Sequence, residues 1–392
     1  MEPVRVGVVG MGIRGMWIAQ MAREGAETEL VAIADMDPRM LGIAREAYPE
    51  AAIYESGEAM ARDAAIEAVL IGTGDRFHAQ NAREALQNGK HALIEKPMAQ
   101  SFADLEAIAS LQQETGLVVG TFLELRHSTL WQRARAIVES GEIGRVLAVS
   151  LVDHVGRDKG QFFGRKRGRS REAMLSLVLQ KGVHALDLVN WYVGAPPIRV
   201  GAMGKLAFFG GEAPADKRCR DCEERDTCAY EHGHTYALPN VEVDHGDDHC
   251  VWSRACDLED VSLVIVEYAN GVLGSYNEVH FAPYYATHMT IYGSKGQLDV
   301  EANHDTSECW VQVTERHTHN ERRERPSGDT GHGGADPALL SDFARAVREG
   351  REPVSGLRAG YESAQIGIAT RQSIDCGEFV SLRLLDDLLA AH

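Results

Sequence analysis

Residues 4–15 read VRVGVVGMGIRG, and this short stretch constrains the fold more than any other part of the chain. Residues 4–9 are valine-rich, as in a strand buried on both faces. Gly10, Gly12 and Gly15 then give the spacing G-x-G-x-x-G. Gly10 permits a tight turn, Gly12 lets a pyrophosphate approach the backbone, and Gly15 lets the next helix pack closely on the strand. Ile13 and Arg14 open that helix, whose first amides aim at the phosphate. A second strand, ELVAIAD, ends at Asp35, twenty residues past Gly15. An acidic residue there bonds the ribose hydroxyls and repels a 2′-phosphate, so NAD is expected over NADP. The competing reading, a glycine turn with no ligand, does not account for strand, spacing and acid together.

The same alternation continues. AIEAVLIGTG (65–74), KHALIEKP (90–97) and GLVVGTF (116–122) read as strands, separated by helices over 75–89 and 101–115. This predicts a doubly wound α/β Rossmann domain over residues 1–124. Ligands of such sheets bind at the carboxyl ends of the strands, where Thr73, Gly74, Glu95 and Lys96 stand, with His78 in the helix that follows. From residue 125 the texture changes. IGRVLAVSLVDHV, PIRVGAMGKLAFFG, VSLVIVEYANGVLGSYNEVHF, HMTIYGSKGQLDV and CWVQVTE read as strands. YANGVL and GSKGQL read as hairpin turns. One long helix is expected from about 171 to 193, and two more near the end, with Asp336 and Pro337 as an N-cap and first-turn pair. Residues 125–392 thus form an α+β domain.

Composition excludes several classes. Forty basic and 58 acidic residues give a formal charge of −18, which disfavours nucleic acid and anionic membrane surfaces as partners. No apolar run reaches transmembrane length. A signal peptide over residues 4–22 is rejected because Arg5 and Arg14 interrupt it, and a cytoplasmic location is expected. The seven cysteines include Cys219, Cys222 and Cys228, spaced C-x2-C-x5-C within a polar loop at 210–250. In a reducing compartment such a cluster points to structural zinc before disulfides, and reduced surface thiols are the alternative. Cys250 is the first choice of fourth ligand, with His232, His234 and Cys256 as rivals.

LQKGVHALDL, residues 179–188, sets polar groups into an apolar helical run. Gln180, His184, Asp187 and Trp191 fall on one helical face, flanked by Lys181, while Val178, Leu179, Val183, Leu186 and Val189 would pack on the sheet. By pattern alone this is a pocket wall or a solvated or satisfied face.

The motifs GVVGMGIRG, Glu95-Lys96-Pro97 and GVHALDL, in that order, resemble the Gfo/Idh/MocA oxidoreductase family, and the similarity extends over nearly the whole chain, including DFARAV. The resemblance implies a Rossmann domain followed by a large, mostly antiparallel open sheet. It implies NAD-dependent chemistry on sugars or cyclitols, a cis bond before Pro97, and a homodimer or homotetramer through the open sheet face. It also supports Cys250 as the fourth cysteine. His184 matches the family's active-site histidine and Lys96 its lysine. Imidazole suits the hydroxyl proton at neutral pH, and Lys96 can stabilise charge on the same oxygen. The family's aspartate four residues before the histidine is here Gln180, which cannot take a proton; Lys181 is expected to take over part of its role. Arg126, Gln180 and Asp187 are expected to meet substrate. Two further readings stand beside the dehydrogenase: an NAD-dependent glycosidase that oxidises the ring transiently and eliminates, and a non-catalytic sugar- and NAD-binding regulator. The basic run 164–171 is read as a solvated loop, or as a site for an acidic sugar. His332, in HGGAD, either reaches the pocket or leads into a helix.

Overall fold

The structure, a computed structural model, describes residues 2–156, 160–165, 168–233, 235–238, 241–244, 246–326 and 332–390. Side chains of 161, 235–238, 241–244, 332 and 333 fall outside this description, as do His234, Lys166 and Arg167 entirely. The chain divides into two compact units: residues 1–127, 332–365 and 383–392, and residues 128–331 with 366–382. The tail, placed with the second domain from sequence, is therefore shared. The helix Leu357–Cys376 gives its first part to unit 1 and its remainder to unit 2.

Unit 1 is a parallel six-stranded sheet. Its strands are β1 (Val4–Val9), β2 (Thr28–Ala34), β3 (Ala52–Tyr54), β4 (Ala68–Ile71), β5 (His91–Ile94) and β6 (Val119–Thr121), in the order β3-β2-β1-β4-β5-β6. The order reverses beside β1, which makes the crevice at the carboxyl ends of β1 and β4 the place for a ligand. Strand β3 has only three residues, too few for a periodic pattern to announce it.

Unit 2 carries β7 (Val146–Val155), β8 (Pro197–Lys205), β9 (Thr235–Leu238), β10 (Val241–Asp244), β11 (Val261–Tyr268), β12 (Leu273–Val279), β13 (Tyr285–Gly293), β14 (Gly296–Asn303), β15 (Glu308–Glu315), β16 (Glu321–Glu324) and β17 (Val380–Ser381). β9 and β10 pair alone; the others form one sheet in the order β16-β15-β14-β13-β7-β12-β11-β8-β17. All pairings in it are antiparallel except β12 with β7. Both expected hairpins form, β11–β12 and β13–β14. Strand β7 alternates buried Val149, Leu151, Asp153 and Val155 with half-buried neighbours, so one sheet face is covered and the other is not.

The long helix expected over 171–193 is broken. A short helix, Arg171–Met174, stops at Leu175, whose φ is +61°. A π-helical turn, Val178–Gly182, then leads into the helix Val183–Val193, which ends on Gly194 in the left-handed conformation. The helix His332–Glu349 begins at His332 rather than Asp336, so Pro337 lies inside it and Asp336 is not its N-cap. Among the described residues no helix is long and apolar enough to cross a membrane.

Candidate functional site

In unit 1 the glycine loop is shaped by contacts that exclude side chains. Gly10 has φ +87°, and a Cβ there would lie 2.7 Å from the Thr73 backbone. A Cβ on Gly15 would lie 1.6 Å from the Gly10 carbonyl oxygen. Gly12 is different: nothing stands within 4 Å of where its Cβ would be. This open space lies at the start of the helix Ile13–Glu24, which has no side-chain cap and no acidic residue in its first turn. An uncapped helix start under an open glycine is a fit cradle for a pyrophosphate. Thr73 adds a buried hydroxyl oxygen with no hydrogen-bond partner among the described residues.

Asp35 stands at the end of β2. Its Oδ2 accepts the Met11 amide at 2.5 Å and its Oδ1 the Asp37 amide at 2.8 Å, so the carboxylate braces the loop it is expected to serve. Arg14 does not reach outward for a phosphate. Its guanidinium donates to Glu95 and, at 2.6 Å, to Asp336 Oδ1, with the Phe122 ring 5.2 Å away. Burial opposes its charge, yet Glu95 and Asp336 more than offset this and hold it protonated. Glu95 is thereby engaged, and its other oxygen accepts the Lys96 amide at 3.0 Å. The carboxylates expected at the cofactor and at a helix cap thus form one ion-pair cluster around Arg14. His78 is buried, with Nδ1 2.7 Å from the Pro97 carbonyl oxygen and Nε2 3.0 Å from the Thr73 carbonyl oxygen. It ties two loops together. The Lys96–Pro97 bond is cis. Arg126 donates to the Val354 carbonyl at 3.0 Å.

In unit 2, His184 is only 6% exposed and Asp187 is buried, which excludes a solvated face. Gln180 and Trp191 are half-buried, and the Arg135 guanidinium sits 5.4 Å from the Trp191 ring. Val189 meets the sheet as expected, against Gly274. Leu179 instead packs on Gly367 of the helix Leu357–Cys376, the C-terminal helix of unit 2. The side of the π-helical turn that touches the sheet carries Lys181 and Gly182. The Lys181 ammonium donates to Asp153 Oδ2 at 3.3 Å. Asp153 also accepts the Tyr276 hydroxyl at 3.0 Å and the Thr287 hydroxyl at 2.5 Å. Burial would neutralise both charges. Lys181, Thr287 and Tyr276 nevertheless hold the Asp153 carboxyl below its usual range, and Asp153 holds the Lys181 ammonium above its own. Glu278 lies beside this group, 2.6 Å from His280 Nε2. Burial, then Asp153 and Glu278, push the Tyr276 phenol well above its ordinary value.

Asp153, Tyr276, Glu278, His280 and Thr287 escaped the sequence reading, although a signal was present. Asp153 occupies an inward position of a strand whose other inward positions are apolar, and Tyr276, Glu278 and His280 alternate on one face of β12 and its continuation.

Residues 4–122 match the oxidoreductase family's NAD-binding Rossmann fold, and residues 135–382 match that family's C-terminal alpha/beta domain. The chain belongs to the Gfo/Idh/MocA oxidoreductase family. The Bacillus subtilis protein YteT, named only as an oxidoreductase, is 25% identical over 394 residues, covering 90% of this chain and 91% of YteT. Inositol 2-dehydrogenase of Rubrobacter xylanophilus is 29% identical over 198 residues, 49% of this chain and 53% of that enzyme, so this match spans about half of each. Among solved structures, the WlbA dehydrogenase of Bordetella pertussis, in complex with NADH and UDP-GlcNAcA, superposes with a TM-score of 0.71 at 21% identity, covering 98% of this chain and all of that one.

Within this Gfo/Idh/MocA fold the cysteine loop gives a correction. Cys219 and Cys250 meet on a small ladder, with the Cys219 amide on the Asp248 oxygen at 2.7 Å and the Cys250 amide on the Lys217 oxygen at 2.9 Å. The cation beside the Cys222 thiol is Lys217. Asp248 is clamped by Arg218 and Arg220, each at 2.8 Å. Among the described residues no group of three or more His, Cys, Asp or Glu is arranged to hold a metal, so the zinc expected at Cys219, Cys222, Cys228 and Cys250 has no support here. The rival Cys256 lies in the apolar cluster of Val155, Phe162, Phe163, Phe209 and Leu258. Burial raises its thiol to about 11. Nor is the basic run simply solvated: Arg169 is buried and donates to the Ala215 oxygen at 2.6 Å, and Arg171 holds Asp257. The His332 side chain lies outside the described residues.

Proposed function

We propose that this protein is an NAD-dependent dehydrogenase acting on a CH–OH group of a sugar or cyclitol. The observation that carries the reading is the cradle of unit 1: an open Gly12 at an uncapped helix start, with Asp35 braced on the loop at the next strand end. Asp35 favours NAD, because its carboxylate would face a 2′-phosphate. The nearby Arg39 supports the same choice, since Asp37 already holds it at 2.8 Å. When bound, the nicotinamide supplies the hydride acceptor. The chain must then handle the hydroxyl proton. Lys96 follows β5, hydrogen-bonds the reacting oxygen and stabilises charge on it, and His184 accepts the proton. Carbon loses hydride, oxygen loses its proton, and a carbonyl, NADH and one proton result. Gln180 is a neutral hydrogen-bonding group toward substrate, and Arg126 and Asp187 are each assigned a substrate-binding role of their own.

Relatives named inositol 2-dehydrogenase and 1,5-anhydro-D-fructose reductase favour polyol or sugar substrates and net redox. Those names lend no weight to a glycosidase or a regulator. The test is a panel of free sugars, inositols and aryl glycosides with NAD, following NADH absorbance and aglycone release together. NADH without release supports the dehydrogenase. Release without net NADH overturns it in favour of oxidation, elimination and re-reduction, and binding without either product indicates a regulator.

The open sheet face supports self-association. Leu263, Ile265, Met203, Leu273 and Tyr292 are exposed, and β-register sets Leu263 opposite Met203. Exposed apolar residues set on one sheet face suit an interface, and a second copy of the chain, as homodimer or homotetramer, is the proposed occupant. Ile265→Glu is expected to release monomers in sedimentation velocity. A monomeric wild type would sink this part of the reading.

A further inference from the structure

The π-helical turn Val178–Gly182 ends two residues before His184 and is gripped from two sides. On one side a Cβ at Gly367 would lie 2.8 Å from the Leu179 Cα. On the other, a Cβ at Gly182 would lie 2.6 Å from the Tyr276 ring and 2.9 Å from Glu278 Oε2. A π turn holds an extra residue relative to an α-helix, so it must be retained by something beyond its own hydrogen bonds. Among the described contacts only one side chain of the turn reaches across to the sheet with a charge: Lys181, which lies on Asp153 with the Tyr285 ring 5.8 Å away. Asp153 is itself oriented by Tyr276 and Thr287, one hydroxyl on each oxygen. The receptor is thus built from three adjacent strands, β12, β7 and β13, and two of its hydrogen bonds are made without Lys181.

We propose that Asp153 and Lys181 are positioning residues, and that their buried ion pair fixes the π-helical turn and thereby the register and orientation of His184. This rests on the reading of His184 given above. It reassigns Lys181, expected from sequence to share in proton transfer. An ammonium committed to a buried carboxylate cannot cycle its proton as a base, but it can hold a turn in place.

The test uses Asp153→Asn, Lys181→Met and the double variant, which removes both charges while the amide oxygen introduced at position 153 still accepts a hydroxyl from the sheet. Four quantities are read: the melting temperature, NADH binding by nicotinamide fluorescence, hydrogen exchange of the segment 176–190, and the imidazole resonances of His184 in histidine-labelled protein assigned with His184→Gln. Each single variant leaves a buried charge alone and is expected to melt lower, and the double variant to recover. Positioning predicts more than that. Exchange in 176–186 speeds up about tenfold or more in the double variant as well, and the His184 resonances stay displaced. If the double variant regains wild-type exchange and resonances, the pair is mutual charge compensation only and the proposal falls. It falls too if the single variants fold and leave the segment unchanged. Should neither single variant fold, the double variant still decides. These readouts need no substrate. If the sugar panel gives no turnover, the functional reading fails while exchange and resonance still judge the ion pair.

Discussion

The glycine loop of unit 1 and the π-helical turn of unit 2 are both places where backbone is pressed against a neighbour, but they are held by different forces. At Gly15 the neighbour is the Gly10 carbonyl, a backbone atom that cannot move aside. At Gly182 it is a phenol ring and a carboxylate, beside the ion pair of buried Asp153 and partly buried Lys181. The first is steric and local in sequence. The second is electrostatic and assembled from residues far apart in the chain. A steric device should respond to added atoms and ignore pH; an electrostatic one should respond to lost charge.

The largest expected effect falls on chemistry. His184→Ala removes the proton acceptor and is expected to lower turnover by roughly 10²–10⁴ while NAD affinity stays, because the cradle lies in unit 1. Steady-state rates with NADH titration check it, and unchanged turnover would remove His184 from the mechanism. Next come two substitutions within the loop itself. Gly15→Ala forces the Gly10 carbonyl away and is expected to cost about 3 kcal/mol of stability together with NAD binding. Gly12→Ala meets only open space, so thermal melting should barely change while NAD binding weakens. Unchanged NAD binding in Gly12→Ala would show that the open space at Gly12 is not the cofactor's. Asp35→Asn is smaller again. It keeps an acceptor for the Met11 amide but drops the charge, and about a tenfold loss of NAD affinity is expected, with discrimination against NADP reduced. Competitive titration of the two cofactors measures both.

How much of each region could be read in advance follows from the same contrast. The loop was legible because its determinants are consecutive: Gly10, Gly12, Gly15 and Asp35 lie within 26 residues, and each has one physical role. What was missed there came from afar, since Asp336 reaches Arg14 across 322 positions. Position 14 faced a phosphate loop in sequence and an ion pair in space. In unit 2 the helical periodicity placed Val189 on the sheet correctly but assumed an unbroken helix. Leu175, with its positive φ, and the π turn shift the register, so Leu179 meets the C-terminal helix and Lys181 meets the sheet. Periodicity assigns faces only while the helix is regular. Asp153 stood in plain view as a charged residue at an inward strand position, but its partner lay on another element.

The smallest expected effect is a pH response confined to acid, and it separates the two regions most cleanly. The Asp153 carboxyl is held below its usual value, so its contribution is fully present above the unfolded value near pH 4 and is lost as pH falls through the folded one. The Lys181 ammonium is held above its usual value, so its contribution is fully present below about pH 10 and fades only as pH rises through the folded value. Between about pH 6 and pH 9 neither group changes its protons, and the pair should leave stability flat. Below about pH 4 wild-type protein loses the pair's contribution, whereas the double variant Asp153→Asn with Lys181→Met has none to lose. Its melting temperature should therefore fall less steeply in acid than that of the wild type, while a Gly12→Ala protein should follow the wild type throughout. Parallel acid limbs in the wild type and the double variant would mean that Asp153 is not held as an ion in the folded chain, and the electrostatic half of the contrast would fail with it.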